Sequence, residues 1–143
     1  MYKSLAEAIR DAEASGRSLS ETALTLESKD QGRTIEDIRA ALKRALVVMR
    51  SAVERGLEGD LRSASGLVGG DALLVAKSRA GPLSGTLFSD VLARALAVQE
   101  VNAAMGVIVA APTAGGAGVL PAVLTGLARD RGISDDRVVD ALA

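Results

Sequence analysis

Only Tyr2 and Phe88 are aromatic in this chain of 143 residues, yet 48% of it is hydrophobic. A core without aromatic rings has to be assembled from Leu, Val, Ile and Ala, and such side chains fill space only where backbones approach closely. Alanine and leucine favour helices, whereas strands favour β-branched and aromatic residues. The composition therefore predicts an all-α fold, a multi-helix domain over 1–143. The same scarcity removes any base-stacking platform, and a net charge of −1 gives no basic footprint, so nucleic acid is excluded as a partner.

The chain has no cysteine and no histidine. It can hold no disulfide, thiolate zinc site or cysteine-ligated cluster by itself, and it lacks the commonest general base. Chemistry here has to use Lys, Ser, Thr, Asp or Glu, or borrow groups from another chain. Residues 1–10 include Lys3, Glu7 and Arg10 with no long apolar run, so no secretory signal is visible and a cytoplasmic location is expected.

Charge divides the sequence unevenly. Residues 1–63 are rich in both signs and read as an amphipathic helical layer. Residues 64–128 carry only Asp71, Lys77, Arg79, Asp90, Arg94 and Glu100, together with most of the glycines. The stretch 64–143 therefore reads as a glycine-punctuated hydrophobic half that is buried against a partner, a ligand or both.

Helix signals are clear in the first part. Ser18 with Glu21 and Thr34 with Asp37 have the hydroxyl-then-acid spacing that lets two side chains satisfy each other's orphan backbone donors. After Thr34 the apolar residues Ile35, Ile38, Leu42, Ala45, Met49, Ala52 and Val53 recur every three or four positions, predicting a helix of about five turns that ends near Gly56. Weaker helices precede Gly16 and lie between Leu19 and Gly32. Further on, a helix is expected over 72–77, a break at Gly81-Pro82, and a helix after Thr86 with Phe88, Val91, Leu92, Ala95, Leu96 and Gln99 on one face. Another begins near Ser134 and runs to the last residue, as in a chain cut within a longer subunit.

From Val101 to Ala128 no residue is charged. That length could span a bilayer, but Pro112-Thr-Ala-Gly-Gly-Ala-Gly118 lies in its middle and would leave backbone groups unsatisfied in lipid. Two buried helices joined by a glycine-rich turn are expected instead, the second with Pro121 in its first turn.

Three local arrangements could carry chemistry. Ser63-Ala-Ser-Gly-Leu-Val-Gly-Gly-Asp-Ala72 is a loop with exposed backbone amides. The loop around Thr113 is either a tight helix–helix turn or a small-anion cradle before a helix; it lacks the Gly-Lys-Ser/Thr ending of a P-loop. Gln99, Glu100 and Asn102 place polar groups at the edge of the charge-free run, as caps and interhelical hydrogen bonds or as substrate contacts. Asp71 reads as a helix cap.

Taken together, Ser65-Gly-Leu-Val-Gly-Gly-Asp-Ala72, Glu100-Val-Asn-Ala-Ala-Met-Gly106 and Ala111-Pro-Thr-Ala-Gly-Gly-Ala-Gly-Val-Leu-Pro121 resemble the α subunit of the iron–sulfur-dependent L-serine dehydratases, or L-serine ammonia-lyases. Ala52-Val-Glu-Arg-Gly-Leu-Glu58 resembles the two-chain form. The resemblance implies conversion of L-serine to pyruvate and ammonia without pyridoxal phosphate. In such enzymes a [4Fe–4S] cluster held by three cysteines leaves one iron free as a Lewis acid toward the substrate.

This chain departs from that pattern because it carries none of those cysteines. The resemblance thus implies the N-terminal part of a catalytic subunit, inactive alone, whose partner is a β subunit that supplies part of the site. It assigns substrate contacts to Ser65 and Gly66 in the first loop, Asn102 in the second motif, and Thr113, Gly115, Gly116 and Gly118 in the third, with no metal ligand in this chain; it does not identify the catalytic base, for which a histidine of the β subunit is one source. A surface left without its other half could also pair two copies through exposed apolar residues. Two other readings remain: a non-catalytic helical interaction module on the same scaffold, and a small membrane-associated protein built on 101–128.

Overall fold

The computed structural model describes residues 2–78 and 85–143. They form seven helices and no strand: α1 (Leu5–Ser15), α2 (Leu19–Gln31), α3 (Ile35–Leu57), α4 (Asp71–Lys77), α5 (Gly85–Ala103), α6 (Val119–Arg131) and α7 (Asp135–Leu142). The all-α expectation holds among the described residues. The expected break at Gly81-Pro82 lies outside them.

Helix ends follow the local chemistry. Ser18 caps α2 by accepting from the N–H of Glu21, whose carboxylate accepts from the Ser18 N–H in return, completing the capping box. The Thr34 hydroxyl accepts from the N–H of Asp37 at the start of α3. Gly16 and Gly32 end α1 and α2 in the left-handed conformation that glycine enters without a Cβ penalty.

The chain packs as two compact units, one comprising residues up to Arg44 with Asp135–Ala143, the other comprising Ala45–Ser134. In the first unit α2 packs against α1 and α7. Ala12, Leu24, Ile38, Val138 and Val139 are buried there. Two ion pairs tie α3 to α7, Arg39 to Asp140 at 2.6 Å and Lys43 to Asp136 at 2.8 Å.

In the second unit α5 packs against α4 and α6. Ala52, Val53, Val98, Val101 and Ala117 form its core, covered by Leu57, Leu61 and Ile108. Close approach replaces aromatic bulk as the packing device. A Cβ at Gly56 would lie 2.2 Å from the carbonyl oxygen of Ala97, so α3 and α5 touch backbone to backbone at that point.

The face of α5 that groups the large apolar residues is not the one that is buried. Phe88 and Leu92 are exposed, and the helix instead buries Ala93, Arg94, Ala97, Val98, Glu100 and Val101. Counting large apolar residues selects the wrong stripe here because the neighbouring backbones demand small ones. The uncharged run from 101 to 128 divides between the end of α5, a connection over 104–118 and α6. Pro121 lies in the first turn of α6, fully buried, where its missing N–H breaks no helical bond. Among the described residues, no helix is long and apolar enough to cross a membrane.

Candidate functional site

The two glycine-rich loops are fastened to one stretch of α5. The first loop closes on itself around Ser63, whose N–H donates to the Val68 carbonyl at 2.9 Å and whose hydroxyl accepts from the Val68 N–H at 3.1 Å. Within it the Ser65 hydroxyl accepts from the Leu67 N–H at 3.4 Å and lies 3.2 Å from the Ser63 hydroxyl. Ser65 and Gly66 are both exposed at the tip. Gly66 takes φ +74° with open space around its Cα, so the turn requires glycine by conformation, and its N–H donates to the Ser63 carbonyl at 2.9 Å.

The loop leads into α4 through Gly70, which has no side chain to cap the helix. Glu100 supplies the cap from α5. One carboxylate oxygen accepts from the Gly70 N–H at 2.9 Å and the other from the Ala72 N–H at 2.8 Å. Glu100 is only 3% exposed, and a buried acid at a helix N-terminus is stabilised by both hydrogen bonds and the helix dipole. The cap expected from Asp71 is therefore made by Glu100, with Asp71 in the first turn.

The neighbours of Glu100 hold the second loop. Gln99 Nε2 donates to the Gly115 carbonyl at 2.9 Å, and Asn102 Nδ2 donates to the Ala114 carbonyl at 3.4 Å. Within that loop the Thr113 hydroxyl accepts from the Gly116 N–H at 3.2 Å, a side-chain-closed turn. Gly118 is buried, and a Cβ there would stand 2.6 Å from the Ala95 carbonyl oxygen, so α6 begins where its backbone meets α5. Gly115 is different: it is exposed, a Cβ added there would meet no atom within 4 Å, and its φ is not positive.

Asn102, Thr113, Gly115 and Gly116 thus form one bonded cluster, with Gly118 packing beneath it. Ser65 and Gly66 belong to the other loop, connected to the same helix through Glu100. Sequence spacing alone does not separate caps from substrate contacts for Gln99, Glu100 and Asn102. In the structure all three bond to backbone, so they shape the loops.

Nothing in the sequence pattern singles out Met105. It closes α5 at φ +60°, a left-handed conformation unusual for a residue with a side chain, and is 89% exposed. The Gly106 N–H returns to the Val101 carbonyl at 2.8 Å, which fixes that sharp exit. A small cavity of about 170 Å³ lies beside it, lined by residues that include Arg55, Leu61, Val101 and Gly106.

Comparison with known proteins gives this geometry its family. The family model described as "Serine dehydratase alpha chain" matches residues 14–143. The chain belongs to the serine dehydratase alpha chain family. It is 43% identical over 126 residues to the "Probable L-serine dehydratase, alpha chain" of Bacillus subtilis (strain 168), covering 87% of this chain and 42% of that protein. It is 38% identical over 121 residues to the "L-serine dehydratase" of Streptomyces coelicolor, covering 82% of this chain and 26% of the other. The "L-serine dehydratase, alpha chain" of Peptoniphilus asaccharolyticus is 34% identical over 100 residues, 68% of this chain and 34% of that one. The chain therefore spans less than half the length of each of these relatives. No solved structure matches it.

Proposed function

We propose that residues 1–143 are the substrate-side part of the catalytic subunit of an L-serine dehydratase, which eliminates water from L-serine to give, after hydrolysis, pyruvate and ammonia. The observation that carries this reading is the fastening of both glycine-rich loops to Gln99, Glu100 and Asn102 on one helix. A carboxylate-bearing substrate is bound best by groups fixed before it arrives, and loops whose own backbone is already hydrogen-bonded to one helix hold their exposed tips in place at low reorganisation cost.

The roles within the site follow from what each residue already bonds. Ser65 with its exposed hydroxyl and Gly115 with its exposed backbone are the substrate contacts, while Gly66, whose N–H donates to the Ser63 carbonyl at 2.9 Å, gives the first loop its turn. Asn102, Thr113 and Gly116 set the shape of the second loop, and Gly118 sets its distance from α5. Glu100 positions the first loop; its two oxygens are committed to Gly70 and Ala72, so it is not the base that removes the Cα proton.

A [4Fe–4S] cluster does not fit the residues of this chain. There is no cysteine or histidine, and the described residues contain no group of three acids able to hold a metal ion. If the complete enzyme uses such a cluster, its ligands come from outside residues 1–143. A β subunit is the proposed partner. Leu67, Met105 and Val107 stand well exposed on or beside the two loops and give that partner an apolar face. In its absence the same residues would pair two copies of this chain. A cytoplasmic location is proposed with this role.

The test uses the complete α and β chains. Asn102→Ala and Thr113→Ala should raise KM for L-serine about tenfold with the chain still folded by circular dichroism, as expected on losing one loop-setting hydrogen bond. Unchanged KM in both variants contradicts the assignment of this loop to the substrate.

A further inference from the structure

A second polar cleft lies in the Ala45–Ser134 unit, and it shares no residue with the glycine loops. It has a volume of about 440 Å³ and is lined by Arg50, Glu54, Arg94, Thr125 and Arg129 over an apolar floor that includes Val53 and Ile133. Specific small-molecule pockets begin at about 300 Å³. The cleft therefore has ample room for a small organic acid.

Arg94 is the unusual member. It is 8% exposed, in the most charge-poor part of the sequence, where a guanidinium is retained only with good partners. Its Nε donates to Asp90 Oδ2 at 2.7 Å and its Nη1 to the Thr125 hydroxyl at 3.3 Å. The Thr125 hydroxyl itself donates to the Pro121 carbonyl at 2.7 Å, which fixes its lone pairs toward Arg94. Among the described residues, Nη2 makes no hydrogen bond.

Asp90 does not neutralise Arg94 alone. Its other oxygen accepts from Arg129 Nη1 at 3.3 Å, so one carboxylate is shared by two guanidinium groups. The cluster of Asp90, Arg94 and Arg129 carries one positive charge in excess at the wall of the cleft. A planar anion with two oxygens can place one on the Nη2 side of Arg94 and the other on Arg129.

We propose that this cleft binds a small carboxylate with a short aliphatic body, its oxygens on Arg94 and Arg129 and its carbon chain against Val53 and Ile133. Glu54 lines the same cleft and offers an acceptor for an ammonium group. The carboxylate could therefore belong to a simple organic acid or to an α-amino acid. Arg94 lies six residues before Glu100 on α5, about 9 Å along the helix axis at 1.5 Å per residue. Occupation of the cleft therefore bears on the helix that fastens the glycine loops.

The experiment is a titration of the ¹⁵N-labelled 143-residue chain, with backbone amides and arginine Nε–H followed by NMR. Propionate represents the simple acid, L-alanine the amino acid, and sodium chloride at equal ionic strength the unspecific control. Saturable shifts at Arg94 Nε–H, Thr125 and Ala128 with either organic probe, absent with chloride, are expected. Which probe binds more tightly identifies the source. Arg129→Gln changes an exposed side chain and should weaken that binding about tenfold. Arg94→Lys keeps the charge but loses the planar edge, and should abolish the shifts. Absence of saturable shifts with both probes, shifts of equal size with chloride, or unchanged affinity in Arg129→Gln each overturns the proposal.

Discussion

Glu100 reaches from α5 to the start of α4, where one of its carboxylate oxygens accepts from the Ala72 N–H at 2.8 Å while the other accepts from Gly70. This pairing explains how a helix with glycine at its N-cap is held, and why a buried acid survives in a nearly uncharged stretch. It also makes the position of the first loop depend on a residue in another sequence motif.

Glu100→Ala should therefore destabilise the chain by about 3 kcal/mol, since it removes two charge-assisted bonds and leaves two N–H groups without acceptors. Glu100→Gln, which retains one acceptor oxygen, should cost less than Glu100→Ala. Urea denaturation of the three proteins measures both. Equal stability of Glu100→Ala and wild type would contradict the capping role.

Two glycine substitutions separate packing from accessibility. Gly56→Ala places a Cβ where the Ala97 carbonyl oxygen already stands, and backbone cannot step aside cheaply. A loss of about 2 kcal/mol or more is expected, in the range of overpacked cores. Gly115→Ala meets no atom within 4 Å and should change stability by no more than about 0.5 kcal/mol. In the complete enzyme, however, Gly115→Ala should raise KM for L-serine. Thermal unfolding and steady-state kinetics together read the two effects.

The pH dependence of the first unit has a defined sign. The Lys43 ammonium, hydrogen-bonded to Asp136, holds that carboxyl below its ordinary value of 3.8. A depressed folded pKa stabilises the folded state above the unfolded value, and that contribution disappears as pH falls through the folded pKa. The pair is exposed, so the effect on stability is small. Carboxyl NMR titration should show Asp136 below 3.8 in the wild type and returning upward in Lys43→Gln. An Asp136 titration unaffected by Lys43→Gln would rule out that pairing in solution.

The helices are largely legible in the sequence because their caps and periodicity are local. Ser18 with Glu21, Thr34 with Asp37, and the repeat from Ile35 to Val53 each depend on neighbours a few residues away. The inward face of α5 is not legible. Phe88 and Leu92 look like core residues until Gly56 brings a second backbone against Ala97, a contact between residues 41 positions apart. The site is legible by motif but not by role. Asn102 and Thr113 are expected at the substrate, and the geometry assigns their hydrogen bonds to the Ala114 carbonyl and the Gly116 N–H. Glu100 leaves a signal in sequence, an isolated acid beside an uncharged run, but its partners are two backbone N–H groups about 30 residues away, which no local pattern specifies.

The most direct test of the proposed role is anaerobic pyruvate formation from L-serine, measured with iron and sulfide for the 143-residue chain alone and for the complete α and β chains. Pyruvate is expected from the complete chains and none from residues 1–143, which contain no cysteine or histidine. Serine-dependent pyruvate from the 143-residue chain alone, or none from the complete chains, would contradict that role.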